Sequence, residues 1–100
     1  MTPLSEKELQ DALTKLPNWE VQDDMLITAF EFDDFAQTMH FANHIADIAD
    51  QQQHHPRMII EFDLLQVELS THDAGDKVTQ KDIDLAHAID HLEEHHEHMH

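Results

Sequence analysis

Small and large apolar residues recur at helical spacing between residues 9 and 16, which is the pattern of a helix with one buried face. Ser5 and Glu8, which precede or begin this stretch, have the spacing of a capping box, an arrangement that begins many helices. Pro17-Asn18 interrupts the pattern. We therefore predict a first helix that starts at Ser5 and stops before Pro17.

Alternating apolar positions replace the helical spacing after residue 18. Residues 19–21 and 25–32 are predicted to be two strands, with Gln22-Asp23-Asp24 as the turn between them. In the second strand alternate side chains share one face, as the pleat of a strand requires. These side chains are Leu26, Thr28, Phe30 and Phe32.

The longest helical pattern begins at Asp33 or Asp34, either of which can cap a helix, and it runs to about Gln53. It carries two adjacent apolar stripes rather than one. The stripes consist of Phe35, Met39, Ala42, Ala46 and Ala49, and of Phe41, Ile45 and Ile48. An apolar surface this wide predicts burial on two sides, for which a partner subunit is one explanation.

A second pair of strands is predicted after Pro56, because a proline disfavours helix at the residue before it. The strands cover residues 57–62 and 65–71, with Asp63-Leu64 as a two-residue turn. Apolar and polar residues alternate along the second of these strands, so one of its faces is predicted to be buried and the other exposed.

The predicted turn decides which residues of these two strands lie opposite each other. It puts Met58 opposite Leu69 and, at the open end of the hairpin, His55 opposite His72. Directly opposed Cβ atoms lie roughly 4.5–5.5 Å apart. The side chains of His54, His55 and His72 are therefore expected to converge.

A last helix is predicted to begin at Thr79, with Asp82 at its third position, where a carboxylate can cap the helix. The element order is helix, two strands, helix, two strands, helix. No linker or repeat divides the chain, so we expect one domain over residues 1–92. Residues 93–100, which are rich in Glu and His, are expected to form a C-terminal tail.

The formal net charge is −17, from 22 acidic and 5 basic side chains. Such a chain repels polyanions, so neither nucleic acid nor an anionic membrane surface is an expected partner. It has no cysteine, which excludes disulfides and thiolate chemistry. It shows no targeting segment and no apolar run of roughly 20 residues, and a cytoplasmic location is therefore expected.

The 11 histidines are the unusual feature of the composition. Three converging imidazoles suit acid–base catalysis, because imidazole exchanges protons near neutral pH. They equally suit a metal ion with one open coordination position. His54 and His55 could instead simply end a helix, where cationic groups suit the dipole. Spacing alone does not choose among these three interpretations.

The segment Asp50-Gln51-Gln52-Gln53-His54-His55-Pro56 resembles the signature of the pterin-4a-carbinolamine dehydratase family, in which an acidic residue and three variable positions precede His-His-Pro. Ser70-Thr71-His72 resembles the second motif of that family. Leu16-Pro17-Asn18-Trp19 is similar to its N-terminal Leu-Pro-x-Trp, and residues 73–86 are similar to its next loop and helix. The resemblance spans nearly the whole domain.

This resemblance implies an α+β fold, with a four-stranded antiparallel sheet and three helices on one face. It implies a dehydratase that removes water from 4a-hydroxytetrahydropterin without a metal or other cofactor, and that forms a homodimer or homotetramer. His54, His55 and His72 would supply the catalytic acid and base. The residues that support them or bind the substrate would be Asp50, Pro56 and Asp82.

The sequence departs from the family pattern in two places. Phe62 stands where the family usually has Tyr or Trp, and the loop before Asp82 is one residue longer, with Asp76-Lys77 near Gly75. Two other functions stay open at this point. One is a non-catalytic dimerisation or regulatory partner protein, and the other is a small metal-binding protein based on the His-rich residues 93–100.

Overall fold

The computed structural model describes the backbone of residues 2–98 and the side chains of residues 2–93. Its elements are α1 (Glu6–Leu13), β1 (Glu20–Gln22), β2 (Met25–Glu31), α2 (Phe35–Gln52), β3 (Arg57–Glu61), β4 (Leu64–Leu69), a short 3-10 helix (His72–Ala74) and α3 (Gln80–His98). The strands form one antiparallel sheet in the order β1-β2-β4-β3. The predicted α+β class and element order are confirmed.

The core lies between the helices and one face of the sheet. Leu65, Val67 and Leu69 alternate along β4 and are fully buried. The helices α2 and α3 pack against each other, and Phe41 and Ile45 of α2 are buried with these β4 residues in one cluster. The predicted alternation of β4 is thus confirmed for its core face. The prediction that the other face is exposed is wrong, because Glu68 is buried and Gln66 is half-buried. No helix within residues 2–98 is long and apolar enough to cross a bilayer.

Most of the wide apolar surface of α2 is covered by the chain itself. Phe41 and Ile45 of one stripe and Ala42 and Ala49 of the other are buried. Ile48, Met39 and Ala46 are half-buried. Phe35, at the beginning of the helix, is 50% exposed. The predicted burial on two sides therefore arises largely within one chain, and Phe35 is the large apolar residue of α2 that is left uncovered.

Capping interactions fix where the helices begin and end. The capping box of α1 is confirmed, since the Ser5 hydroxyl accepts from the Glu8 N–H at 3.1 Å and the Glu8 carboxylate accepts from the Ser5 N–H at 2.9 Å. The α2 helix ends at Gln52, and the residue after it, Gln53, has a left-handed φ of 53°. The next N–H, that of His54, donates to the carbonyl of Ala49 at 3.0 Å. This C-terminal turn fixes the direction in which His54 leaves the helix.

The two hairpin turns differ in how well their sequences predict them. Asp23 and Asp24 form the turn between β1 and β2, with φ values of 51° and 63° that suit the twisted two-residue turn of a hairpin. The turn between β3 and β4 consists of Phe62 and Asp63, and the prediction of Asp63-Leu64 is wrong. Phe62 has a left-handed φ of 52°. Aromatic residues favour strands, so its identity pointed to β3 rather than to a turn.

This turn shifts the predicted pairing of β3 with β4 by two residues. Met58 lies opposite Val67 instead of Leu69. A shift of two keeps every side chain on its predicted face but changes its partner. Continued past the last paired residues, the observed register puts His54 level with Thr71. The prediction that His55 lies opposite His72 is therefore wrong.

The contrast between two isoleucines of α2 tests this description of the core. Ile45 is fully buried and Ile48 is half-buried. We expect Ile45→Ala to lower the free energy of unfolding by about 2–5 kcal/mol, because the mutation leaves a cavity in a packed core. Ile48→Ala removes the same atoms from the same helix and should cost clearly less. Equal losses in urea unfolding curves would contradict the packing described here.

Candidate active site

A fully buried carboxylate, Asp82, lies in the first turn of α3 and connects three parts of the chain. Its Oδ2 accepts hydrogen bonds from the backbone N–H of Thr79 and from the hydroxyl of Thr71, each at 2.8 Å. Its Oδ1 lies 2.5 Å from Nε2 of His54. Asp82 thus caps α3 at Thr79 and also holds an imidazole, the two roles that its position and the family resemblance suggested.

Thr71 and Thr79 complete a buried polar group around this carboxylate. Their hydroxyl oxygens are 2.7 Å apart, and both residues are buried. Thr71 follows β4, and His54 follows the end of α2. The segments that carry His54-His55 and Thr71-His72 therefore meet at Asp82, although they do not meet in the predicted register.

The His54 ring is buried, with 9% of the residue exposed. It lines an open cleft of about 290 Å³ together with Gln52, Lys81 and Asp84. Within residues 2–93 its ring makes no hydrogen bond besides the one to Asp82. Its Nδ1 atom is therefore without a partner in the described part of the chain.

His55 is exposed, and its imidazole is paired with another of the predicted aspartates, Asp50. Its Nε2 lies 2.9 Å from Oδ1 of Asp50, which is in the last part of α2. Pro56 follows and is half-buried. Because proline fixes its own φ, it restricts how the chain leaves His55 toward β3.

His72 is the first residue of the 3-10 helix and is also exposed. Its Nδ1 lies 2.9 Å from Oδ1 of Asp76. Gly75 and Asp76 have left-handed φ values of 79° and 61°, which bring the chain back toward His72. The hydrogen bond that the His72 ring donates to Asp76, then the charge of Asp76 and that of Asp73, hold the pKa of His72 above its usual value.

Each of the three predicted histidines thus contacts a different aspartate, and no two of them hydrogen bond or stack with each other among the described residues. The sequence predicts that the imidazoles converge directly. In the structure the chain segments that carry them meet at Asp82 instead. No three His, Asp or Glu side chains within residues 2–93 are grouped as a metal ion would require.

Sequence reasoning did not single out three residues of this region: Thr71 and Thr79, which contact Asp82, and Asp76, which contacts His72. Thr79 with Asp82 has the spacing of a capping pair, which indicated their contact but not their link to His54. Asp76 is four residues after His72, but the residues between them form no α-helix in which that spacing would imply contact. Thr71 lies on the core face of its strand pattern, which signalled burial but no partner.

These contacts have a common chemical consequence. A carboxylate that hydrogen bonds to one nitrogen of an imidazole orients the ring and favours a proton on that nitrogen. The other nitrogen is then available to another molecule. The described structure thus defines a class of small α+β domain in which three imidazoles are each held by a carboxylate.

Comparison with known proteins identifies the family. Residues 2–92 match the family described as pterin 4 alpha carbinolamine dehydratase. A relative from Christiangramia forsetii is 43% identical over 94 residues, which cover 94% of this chain and 96% of the relative. A relative from Sulfurisphaera tokodaii is 38% identical and covers 92% and 98%. Both carry the provisional name pterin-4-alpha-carbinolamine dehydratase. The chain belongs to this family.

Solved structures show the same fold. A transcriptional coactivator/pterin dehydratase from Brucella melitensis has a TM-score of 0.85 and 29% identity, covering 91% of this chain and 98% of that one. A pterin dehydratase-like protein described as a RuBisCO assembly factor in the alpha-carboxysome has a TM-score of 0.60 and 20% identity, covering 74% and 84%. The second likeness concerns the fold alone.

The pairing of His72 with Asp76 makes a prediction about pH. Because the pKa of His72 is raised, its charged form stabilises the fold below the ordinary pKa of histidine, and this contribution is lost as the pH rises through the raised pKa. We expect Asp76→Asn to lower the pKa of His72, as followed by NMR titration of its ring protons. Asp73→Asn should lower it less, because Asp73 acts only through its charge. An unchanged titration in Asp76→Asn would show that the two side chains do not pair in solution.

Proposed function

We propose that this protein removes water from 4a-hydroxytetrahydropterin and releases quinonoid dihydropterin. In this reaction the C4a–O bond breaks and the C4a=N5 double bond forms. The hydroxyl leaves as water after it receives a proton, and N5 loses its proton to a base. No electrons are gained or lost overall, so the reaction requires one proton donor and one proton acceptor and no cofactor.

The observation that carries this proposal is the link at Asp82 between the segment of His54-His55 and the segment of Thr71-His72. A pterin is a flat heterocycle, and two proton-transfer groups must reach its C4a and N5 atoms, which are bonded to each other. Histidines presented by two chain segments that meet at one carboxylate suit this need. Membership of the family supports the same substrate class.

The proposed roles follow from the environment of each residue. His54, His55 and His72 would supply the acid and the base, and Asp82 and Asp50 would orient the imidazoles of His54 and His55. Asp50 is exposed and could also meet the substrate. Pro56 would hold the direction of the chain after His55. By family analogy, the protein would serve tetrahydrobiopterin recycling in the cytoplasm.

Enzyme assays of histidine variants test the proposal. The 4a-carbinolamine is generated in the assay with a chelator present, and formation of the quinonoid product is followed by absorbance. We expect His55→Ala and His72→Ala each to lower kcat about 10²–10⁴-fold, the usual contribution of a general acid or base. His87→Ala, which changes an exposed histidine of α3, is the matched control and should keep full activity.

Two outcomes would argue against this function. One is a wild-type protein that does not accelerate dehydration above the uncatalysed rate. The other is loss of activity when only residues 93–100 are removed, because that would assign the activity to the His-rich tail rather than to the predicted histidines.

We further propose that the protein acts as a homodimer or homotetramer. Large apolar side chains are exposed near the tip of the β3–β4 hairpin and the start of α2: Phe62 is 65% exposed, Phe35 is 50% exposed and Ile60 is 37% exposed. Exposed apolar residues of this size are typical of surfaces that bind another protein. The backbone on the outer side of β3, the last strand of the sheet, is also free of strand pairing.

Light scattering at several protein concentrations tests this assembly. We expect wild type to have at least twice the mass of one chain, and the double variant Phe35→Ser/Phe62→Ser to dissociate toward the monomer, because the apolar area buried on association is reduced. Val21→Ser, a change on the opposite edge strand, is the control and should leave the mass unchanged. A monomeric wild type at high micromolar concentration would refute the proposal.

A further inference from the structure

We infer that Thr71 and Thr79 are positioning residues which, through Asp82, hold His54 with its ring proton on Nε2, and that Nδ1 of His54 is the base of the dehydration. The arrangement of protons rests on geometry alone. The role of the base rests on the proposed function. Neither threonine was assigned a part in the chemistry by the sequence or by the resemblance.

The number of available protons fixes the direction of each hydrogen bond around Asp82. The Thr71 hydroxyl donates to Oδ2 of Asp82 at 2.8 Å, and a hydroxyl has only one proton to donate. In the 2.7 Å contact between the two threonine hydroxyls, Thr79 must therefore be the donor. The Thr79 oxygen in turn accepts from the N–H of Lys81 at 3.3 Å. Each proton in this series of hydrogen bonds is thus directed toward Asp82.

One proton lies between Oδ1 of Asp82 and Nε2 of His54. Oδ2 of Asp82 already accepts two hydrogen bonds, so a proton on this carboxyl group would have only Nε2 of His54 as its acceptor. The proton of that contact is shared by a carboxyl group and an imidazole, and the imidazole is ordinarily the stronger base by roughly two to three pH units. The proton therefore belongs to Nε2.

The other nitrogen of the His54 ring is Nδ1. With Nε2 protonated, Nδ1 of neutral His54 carries a lone pair, and it has no hydrogen-bond partner within residues 2–93. His54 lines the cleft beside Gln52, Lys81 and Asp84. We place the substrate in this cleft with its N–H against Nδ1, whose lone pair is already oriented, which is the arrangement that a general base requires.

The exposed histidines suit the complementary role. His72 has its Nδ1 bonded to Asp76 and its Nε2 available, and the two nearby carboxylates favour its charged form. A charged imidazole can give a proton to a departing hydroxyl but cannot take one from N5. The acid is therefore expected among the exposed histidines, and the base is the buried one.

The test compares three variants at buried threonines. Thr71→Val keeps the shape of the side chain but removes the hydroxyl, and Thr71→Ser restores the hydroxyl. Thr28→Val is the matched control, because Thr28 is equally buried and its hydroxyl makes one hydrogen bond, to the carbonyl of Asn18. The readout is the ¹⁵N spectrum of the His54 ring across pH, assigned by its disappearance in His54→Gln.

In wild type we expect a neutral His54 with hydrogen on Nε2 and none on Nδ1. Without the Thr71 hydroxyl, the Asp82 carboxylate attracts a proton on His54 more strongly. The pH at which the ring gains its second proton should then rise in Thr71→Val, because the carboxylate has lost a hydrogen bond that stabilised its charge. Thr71→Ser and Thr28→Val should titrate like wild type.

Activity gives an independent readout. A base must be unprotonated, so the acid limb of the kcat profile should move to higher pH in Thr71→Val by the same amount, whereas a purely structural role would lower the amount of folded enzyme at every pH. The other charged groups near His54 are Lys81, Asp84, Asp50 and His55, and all of them are retained in these variants. The shift therefore reports on the hydroxyl alone.

The outcomes separate this inference from the proposed function. A wild-type ring with its neutral proton on Nδ1 would overturn the inference without any variant, and so would a Thr71→Val protein that titrates like wild type. If Thr71→Val does not fold, Thr79→Val removes the hydroxyl that donates to Thr71. It should shift the titration of His54 in the same direction by less, because this hydroxyl is one hydrogen bond further from Asp82. The expected ring spectra in a protein without dehydratase activity would uphold the proton arrangement and refute the role of the base.

Discussion

The hydrogen bonds that surround the buried carboxylate of Asp82 are the constraint on which the candidate site depends. A carboxylate removed from water costs several kcal/mol unless its partners replace the lost hydration. Here the partners come from three segments, namely His54 after α2, Thr71 after β4 and Thr79 before α3. None of these groups is well placed unless all of them are, so the two histidine segments and the start of α3 are fixed together.

Local physics predicted most of the fold. The helices are amphipathic and begin at side chains that cap them, such as Ser5 and Asp34, so their order and approximate bounds could be read from the sequence. The turn between β3 and β4 could not, because its first residue is Phe62. The N–H of Phe32 donates to the carbonyl of Asp63 at 2.8 Å, and this contact with a distant part of the chain accompanies a turn that residue preferences disfavour.

The candidate site was predictable in its residue types and not in its contacts. The family motif singles out three histidines and two aspartates, yet it does not state which aspartate holds which histidine. Asp50 reaches His55 because α2 ends between them, whereas Asp82 reaches His54 only because the fold places α3 beside the end of α2. The predicted register of the β3–β4 hairpin was wrong by two residues, and this error gave His72 the wrong partner. It did not change which residues were predicted to form the site.

The proposed acid–base reaction would depend on the difference in burial among the three histidines. A dehydration requires one group that has a proton and one that lacks it at the same pH, and identical exposed imidazoles would not differ. Among the three histidines only His54 is buried, and its Nε2 contacts the buried carboxylate of Asp82. Under the proposed function, the buried polar group around Asp82 would separate the two roles, because it holds one imidazole away from water while the other two stay exposed beside their own aspartates.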